Sequence, residues 1–192
     1  MLNDIQELPN SFQVIKEDTE ASGFTMASDI ATGTLLRTLA ASKPGGDFLE
    51  LGTGTGLSTS WLLDGMSADA KLTSIDNDER FLSIARKHLG HDPRLTLVSS
   101  DGGDWLSTNT GATYDYIFAD TWHGKYLMLD EGLEMLKIGG LYIVDDMLPQ
   151  DNWPEGHDEK AKALVRKLDQ RKDLVVSKLH WATGIIICTK IH

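Results

Sequence analysis

Residues 48–59 read FLELGTGTGLST, a short apolar run that ends in an acid and then places glycine at three alternate positions. Glycine accepts backbone conformations closed to other residues and lets the main chain pass close to a ligand. The apolar residues from Leu57 onward predict a helix whose first N–H groups face the same ligand. This stretch therefore predicts a strand, a tight turn and a helix, with a ligand at the turn.

The glycine spacing argues against two common phosphate-binding loops. A dinucleotide fingerprint needs its third glycine three positions after the second, where this chain has Leu57. The stretch also lacks the GK[ST] ending of a phosphate loop. The glycines therefore suit a pyrophosphate poorly, and a dinucleotide-dependent oxidoreductase is disfavoured.

Strand-like and helical segments alternate after the glycine turn. Helices are predicted at 78–90 and 124–140, and strands at 71–76, 94–100, 114–120 and 141–146. This alternation predicts an α/β fold with a mostly parallel, Rossmann-like doubly wound sheet of seven strands and helices on both faces. The last two strands, in 174–180 and 184–191, are separated by three residues, which predicts an antiparallel hairpin at the sheet edge.

The remaining segments complete one predicted domain covering 1–192. A helix is expected after Ser28, taken as its N-cap, and it ends before KPGG. A second, charged helix is predicted over 158–173. Residues 1–25 are expected to form an N-terminal extension with one short helix, serving as a lid or an oligomer contact. Residues 151–157 are expected to form a loop.

Composition limits the classes of partner. The chain has 18 basic and 29 acidic residues and a formal net charge of -11, which disfavours nucleic acid and anionic membrane surfaces. No apolar run approaches the length of a membrane-spanning helix, and the first ten residues lack a basic leader. Cys188 is the single cysteine, so no internal disulfide can form. We expect a cytoplasmic, soluble protein.

The glycine stretch resembles the E/D-x-G-x-G-x-G motif of S-adenosylmethionine-dependent methyltransferases. Asp76 ends the second strand, where an acid can accept hydrogen bonds from both ribose hydroxyls. DGGDW at 101–105 ends the third strand, where this family contacts adenine. The resemblance implies a cofactor site formed by Met26, Glu50, Gly52, Thr53, Gly54, Gly56, Ser58, Asp76, Asn77, Asp101, Gly102 and Asp120.

The segments YDYIFADTWHGKY (114–126) and LYIVDDM (141–147) resemble the metal-dependent catechol and caffeoyl-CoA O-methyltransferases. Three carboxylates at neighbouring strand ends need a cation or raised pKa values, and a hard divalent ion accepts oxygen ligands. The resemblance implies that Asp120, Asp145 and Asp146 bind such an ion, with Mg²⁺ expected. Asp146 stands where the family has Asn, which puts metal use in question.

The same resemblance suggests the residues that meet the methyl acceptor. A lysine three positions after the first metal-binding aspartate acts as base in the related enzymes, and His123 stands at that position here. Histidine can accept a proton at neutral pH, so His123 is the expected base, with Lys125 as the substitute. Trp122 and Trp153 are expected to form walls of the substrate pocket.

Three functions remain open at this point. The first is O-methylation of a small hydroxylated, aromatic molecule with metal assistance by a protein that forms homodimers. The second is metal-independent methylation of a small molecule or a protein. The third is a module that binds the cofactor without turnover, suggested by the altered lysine and asparagine positions.

Overall fold

The computed structural model describes residues 7–150 and 153–192, and seven strands form one sheet within them. The strands are β1 (Asp47–Leu51), β2 (Lys71–Asp76), β3 (Leu95–Ser99), β4 (Tyr114–Ala119), β5 (Leu136–Val144), β6 (Leu174–Leu179) and β7 (Ile185–Lys190). The spatial order is β3-β2-β1-β4-β5-β7-β6. The first five strands pair in parallel and the last two pair antiparallel. The predicted α/β fold, with its mixed sheet and C-terminal hairpin, is confirmed.

Seven helices accompany the sheet in the described part of the chain. They are α1 (Phe12–Ser22), α2 (Ile30–Ala41), α3 (Leu57–Gly65), α4 (Glu79–Leu89), α5 (Gly102–Thr108), α6 (Leu129–Glu134) and α7 (His157–Asp169). Two clusters of buried side chains hold the layers together. One cluster includes Leu51, Ile117 and Val144, and the other includes Phe48, Trp61 and Ile143. Because alternate strand residues enter different clusters, both faces of the sheet are covered.

The helix predicted at 124–140 is wrong in its extent. Residues Leu129–Glu134 alone form α6, and β5 already begins at Leu136. Gly124 and Met128 have φ angles of 82° and 54°, so the backbone turns where a helix would continue. The strand pairing also shifts register between Tyr114 and Tyr116, beside the glycines of β5. A turn, a short helix and the start of a strand therefore occupy the segment whose apolar spacing predicted a single helix.

The cap of α2 differs from the prediction by one residue. Asp29 is the N-cap and accepts a 2.9 Å hydrogen bond from Thr32 N, whereas Ser28 was expected there. The hydroxyl of Ser28 instead donates a 3.3 Å hydrogen bond to Asp120 Oδ2, 92 positions along the chain. A residue predicted to cap the start of α2 thus contacts the carboxyl edge of the sheet.

The N-terminal segment packs onto the domain. Phe12 and Ile15 of α1 are buried, and the Phe12 ring meets Trp61 edge to face at 5.7 Å between centroids. Thr19 Oγ1 donates a 2.8 Å hydrogen bond to Thr55 Oγ1 in the glycine turn. Residues 1–6 of the expected extension, and residues 151 and 152 of the expected loop, lie outside the described residues.

The described helices are short relative to a bilayer. None of those within 7–150 and 153–192 combines the length and the apolar character needed to span a membrane. Cys188 is buried in β7, and its burial raises the thiol pKa to about 12.

Candidate functional site

A cleft of about 570 Å³ opens at the carboxyl ends of β1, β2, β4 and β5. This is where the strand order reverses between β1 and β4, the usual ligand position in open α/β sheets. Thirteen residues singled out in the sequence line it: Met26, Gly52, Thr53, Gly54, Ser58, Asp76, Asn77, Asp120, Trp122, Lys125, Asp145, Asp146 and Trp153. The cleft thus brings together most of the predicted cofactor, metal and substrate residues.

Two glycines give the turn after β1 its shape, which we call the glycine loop (residues 52–56). Gly52 has φ 104° and a Cβ added there would lie 2.8 Å from the backbone oxygen of Asp120. Gly54 has φ 52° and its missing Cβ would lie 2.9 Å from the Phe24 ring. Both positions favour glycine because of their positive φ, and at Gly52 the backbone of Asp120 also leaves no space for a Cβ. A side chain at either place would alter the floor of the cleft.

Glu50 lies beneath the glycine loop and does not line the cleft. Its buried carboxylate accepts hydrogen bonds from Ser58 Oγ at 2.7 Å, Thr59 Oγ1 at 2.6 Å and Ser74 Oγ at 2.5 Å. Burial raises the Glu50 pKa to about 7 despite these three donors. Glu50 thus has a supporting position between β1, α3 and β2, and its contact with the cofactor stays a prediction.

Asp76 occupies the position predicted for it at the end of β2. Its Oδ2 accepts a 2.7 Å hydrogen bond from Gly54 N, and its Oδ1 accepts a 2.8 Å bond from Asp78 N. Each carboxylate oxygen keeps a second lone pair. Asp76 therefore fixes the glycine loop and can still accept hydrogen bonds from a ligand in the cleft.

Four further residues expected in the site lie beside the cleft. Asp101 caps α5 through Gly103 N at 2.8 Å, and its Oδ2 lies 3.8 Å from His123 Nδ1. His123 also packs against Gly102, whose Cβ would lie 3.1 Å from its own. Gly56 packs against Ala85 of α4. None of Gly56, Asp101, Gly102 and His123 lines the cleft, so the expected base faces α5 instead of the three aspartates.

Asp120, Asp145 and Asp146, here named the acid cluster, meet at the ends of β4 and β5 as predicted. Burial raises the Asp120 pKa well above its ordinary value, and the charges of Asp145 and Asp146 raise it further. Asp145 Oδ1 accepts a 2.5 Å bond from Thr183 Oγ1 and a 2.7 Å bond from Asp146 N. The cluster is thus a concentrated negative charge of which two members, Asp120 and Asp146, are half-buried.

Lys125 enters the cleft where His123 was expected. The turn after β4 carries it there, since Tyr126 N donates to Trp122 O at 2.9 Å and Gly124 takes a positive φ. The Lys125 side chain is 4% exposed. Burial lowers its pKa, while the charges of Asp120, Asp146 and Asp145 oppose that change. The buried ammonium therefore depends on the acid cluster.

Aromatic side chains form one wall of the cleft. Tyr126 Oη and His157 Nε2 are 2.9 Å apart, and the Trp122, Tyr126 and Trp153 rings all pack against His157, with centroids 5.9, 5.1 and 4.4 Å away. Trp122 is 42% exposed, although large aromatic rings are usually covered. This aromatic wall gives the cleft a flat apolar surface beside the acid cluster.

Several lining residues were not singled out from the sequence. Phe24 and Phe81 pack against each other as tilted rings with 4.6 Å between centroids, and Thr183 reaches Asp145 from the hairpin. Tyr126 and His157 of the aromatic wall were missed as well. The missed residues lie on the segment before α2, on α4, in the turn after β4, at the start of α7 and near the hairpin, and among them Tyr126 falls within the quoted segment 114–126.

The acid cluster does not fit a divalent ion in its present arrangement. In the part of the chain that the structure describes, no three His, Cys, Asp or Glu side chains are placed to share an ion. Ser28, Thr183 and Gln150 each donate to one of the three carboxylates. Magnesium demands near-octahedral oxygen geometry, and the three carboxylates are not placed to supply it around one ion. The metal assignment therefore lacks support from the donor set.

Comparison with known proteins places this chain in a family. Residues 49–147 match a family described as "Methyltransferase domain". Because the match covers more than half of the 192 residues, the chain belongs to that family. The glycine loop, Asp76 and the acid cluster all lie within the matched segment, so the family assignment and the cleft rest on the same residues.

Curated relatives of this chain are named as O-methyltransferases. A Mycobacterium tuberculosis protein named "Probable O-methyltransferase" is 36% identical over 121 residues, which are 59% of this chain and 53% of that protein. A Mycobacterium leprae relative gives the same values. The chain thus spans about half the length of the curated relatives it matches.

Solved structures share the fold at low sequence identity. An O-methyltransferase from Bacillus cereus in complex with S-adenosylhomocysteine is 16% identical, with a TM-score of 0.83 covering 97% of this chain and 93% of that one. TomG of Streptomyces achromogenes, in complex with S-adenosylmethionine, is 18% identical, with a TM-score of 0.82 covering 98% and 92%. The chain therefore has the fold of these methyltransferases.

Proposed function

We propose that this chain is an S-adenosylmethionine-dependent O-methyltransferase that acts on a hydroxyl group of a small aromatic molecule. One observation carries the proposal: the glycine loop with Asp76, and the acid cluster with Lys125, line the same cleft. A donor held at the first pair and an acceptor held at the second would meet between them. Family membership and the names of the relatives support the same reaction.

The donor half of the cleft suits an adenosyl group. Gly52 and Gly54 leave the backbone bare, while Asp76 offers free lone pairs to ribose hydroxyls. Met26, Thr53, Ser58 and Asn77 line the same half of the cleft and complete the proposed cofactor site. Asp101 and Gly102 lie beside the cleft, and we leave them out of the proposed contacts.

Methyl transfer is a single displacement. When bound, S-adenosylmethionine supplies a methyl group on a sulfonium, whose C–S bond breaks with its electron pair retained by sulfur to give S-adenosylhomocysteine. The acceptor oxygen forms the new O–C bond with a lone pair, and its proton passes to the acid cluster, where Asp146 is half-exposed. Holding this oxygen in line with the breaking bond can supply effective molarities of roughly 10⁵ M or more.

Lys125 replaces His123 as the residue proposed at the acceptor oxygen, and it acts there as a positive charge instead of as the expected base. Its side chain lines the cleft, whereas His123 does not. A positive charge beside the acceptor oxygen stabilises the negative charge that grows there as the proton leaves. The aromatic wall, with Trp122 and Trp153, would hold the ring of the acceptor.

Calorimetry and a transfer assay test this function. We expect the protein to bind S-adenosylmethionine and S-adenosylhomocysteine, and to transfer a labelled methyl group to at least one member of a panel of catechols, flavonoids and hydroxycinnamates. The panel is run with Mg²⁺ and with a chelator, which separates metal-assisted from metal-independent transfer. Failure to bind either cofactor form would refute the proposal.

A binding module without turnover is the second candidate. Two departures from the resembled family favour it, namely His123 at the expected lysine position and Asp146 at the expected asparagine position. Binding of S-adenosylmethionine with no methyl transfer to any member of the panel would support this candidate over the enzyme.

A further inference from the structure

The acid cluster contains a cation of its own. Lys125 is buried in the cleft that Asp120, Asp145 and Asp146 line, and these three carboxylates are the charges that act on its ammonium group. Burying a lysine is costly unless opposite charges compensate it. The reverse also holds, since three carboxylates crowded at one sheet edge need a nearby positive charge. Each side therefore offsets the burial of the other.

The Lys125 ammonium keeps its hydrogen-bonding capacity. Within residues 7–150 and 153–192 it forms no side-chain hydrogen bond, and the Tyr126 ring lies 5.1 Å from Nζ. A lysine ammonium carries three donors. A buried, charged donor that lines a cleft and has no hydrogen-bond partner there is suited to an oxygen atom of a ligand.

The carboxylates, by contrast, are partly engaged by protein donors. Asp145 Oδ1 holds Thr183 Oγ1 at 2.5 Å, and Asp146 Oδ1 holds Gln150 Nε2 at 2.7 Å. These bonds tie the cluster to the hairpin and to the segment after β5. A divalent ion would have to displace them, and it would also have to accept a lysine ammonium as a near neighbour.

The backbone around Lys125 fixes its direction. Gly124 N donates to Leu127 O at 2.7 Å, and Tyr142 Oη donates to Gly124 O at 2.5 Å from within the core. A Cβ on Gly124 would lie 2.5 Å from Leu51 Cδ1. This tightly packed turn fixes the backbone that places Lys125 in the cleft.

We propose that the Lys125 ammonium is the resident cation of the acid cluster and that it takes the place of a divalent metal in holding the acceptor oxygen. The inference rests on the proposed methyl transfer and departs from the metal-dependent pattern that the sequence resembles. It predicts that the wild-type cluster binds divalent ions weakly, and that removing the lysine charge creates a metal site.

Titration of the full chain with Mn²⁺ tests the inference. Electron paramagnetic resonance measures the free and the bound ion. We expect wild type to show no saturable binding in the micromolar range. Lys125→Met keeps most of the side-chain volume and removes the charge, so it should bind Mn²⁺ at least tenfold more tightly. Lys160→Met is the matched control, because Lys160 lies 4.9 Å from the Trp122 ring near the cleft yet is not among the charges that act on the cluster. It should behave as wild type.

Two results would overturn the inference. The first is saturable micromolar Mn²⁺ binding to wild type that Asp146→Asn abolishes. The second is a folded Lys125→Met protein, verified by circular dichroism, that binds Mn²⁺ no better than wild type. The wild-type titration is decisive by itself if Lys125→Met does not fold. S-adenosylhomocysteine titration of the same samples is independent of the metal result, so a failure of the proposed function is recognised separately.

Discussion

Gly54 N donates a 2.7 Å hydrogen bond to Asp76 Oδ2, which joins the glycine loop to the end of the neighbouring strand. The glycine loop and Asp76, the acid expected to bind the ribose of the cofactor, therefore form one structural unit. A ligand that contacts Asp76 also meets a backbone whose position Asp76 sets.

Asp76→Ala should weaken S-adenosylhomocysteine binding by at least tenfold, because it removes the acceptor for the ribose and releases Gly54 N and Asp78 N. Isothermal titration measures the affinity, and thermal unfolding measures the accompanying loss of stability. Asp101→Ala is the control, since Asp101 also accepts two backbone N–H bonds but does not line the cleft. An equal loss of affinity in both variants would support the sequence prediction that Asp101 contacts the cofactor.

Glu50→Gln should change how stability depends on pH. The Glu50 pKa rises from 4.5 in the unfolded chain to about 7 in the folded one. The folded state then binds more protons between these values, so this group makes stability fall as pH rises from about 4.5 to about 7. The shift corresponds to roughly 3 kcal/mol by the pKa-to-energy conversion.

Replacing the Glu50 carboxyl group by an amide should remove this decrease in stability with rising pH. Denaturant unfolding from pH 4.5 to pH 8 should show Glu50→Gln gaining on wild type as pH increases, with the difference constant above about pH 7. Exposed Glu155→Gln is the control and should follow wild type. Parallel curves for wild type and Glu50→Gln would contradict a raised pKa at Glu50.

β1 and β4 were the most predictable strands, because each combines a buried apolar run with a residue that stops it. The predicted strand at 71–76 matches β2, and Asp76 and the glycine loop fall at strand ends as expected. The helix at 124–140 was not predictable, since apolar spacing does not reveal the left-handed Met128. Backbone geometry also explains why Lys125 lines the cleft and His123, the expected base, does not. Counting positions from Asp120 assumes a turn geometry that Gly124 changes, so the residue that reaches the cleft depends on backbone contacts far along the chain.

Gly52→Ala should reduce both stability and cofactor affinity. The added Cβ would lie 2.8 Å from the Asp120 backbone oxygen, at a φ of 104°. Strain of this kind costs about 1–3 kcal/mol, and relief of the strain would move the glycine loop or the end of β4.

Gly139→Ala is the control, because Gly139 has φ 78° with no atom within 4 Å of an added Cβ. Both variants should lose thermal stability, and Gly52→Ala alone should lose S-adenosylhomocysteine affinity. Unaltered affinity in Gly52→Ala would contradict the position assigned to the donor.

Trp122→Leu tests whether the aromatic wall binds the acceptor. Trp122 is 42% exposed, so its replacement should cost little stability, yet it removes a flat surface from the cleft. Stacking of aromatic pairs contributes about 0.5–1.5 kcal/mol beyond burial, which corresponds to a rise in acceptor KM of several-fold. We expect S-adenosylmethionine affinity to stay unchanged, because the donor half of the cleft is intact.

Trp181→Leu is the matched control, since Trp181 is 44% exposed and lies outside the cleft. Steady-state kinetics with the best acceptor from the transfer panel provide the comparison. Equal KM values for wild type and Trp122→Leu would place the acceptor elsewhere, and an equal rise in both variants would mean that the effect is not specific to the wall.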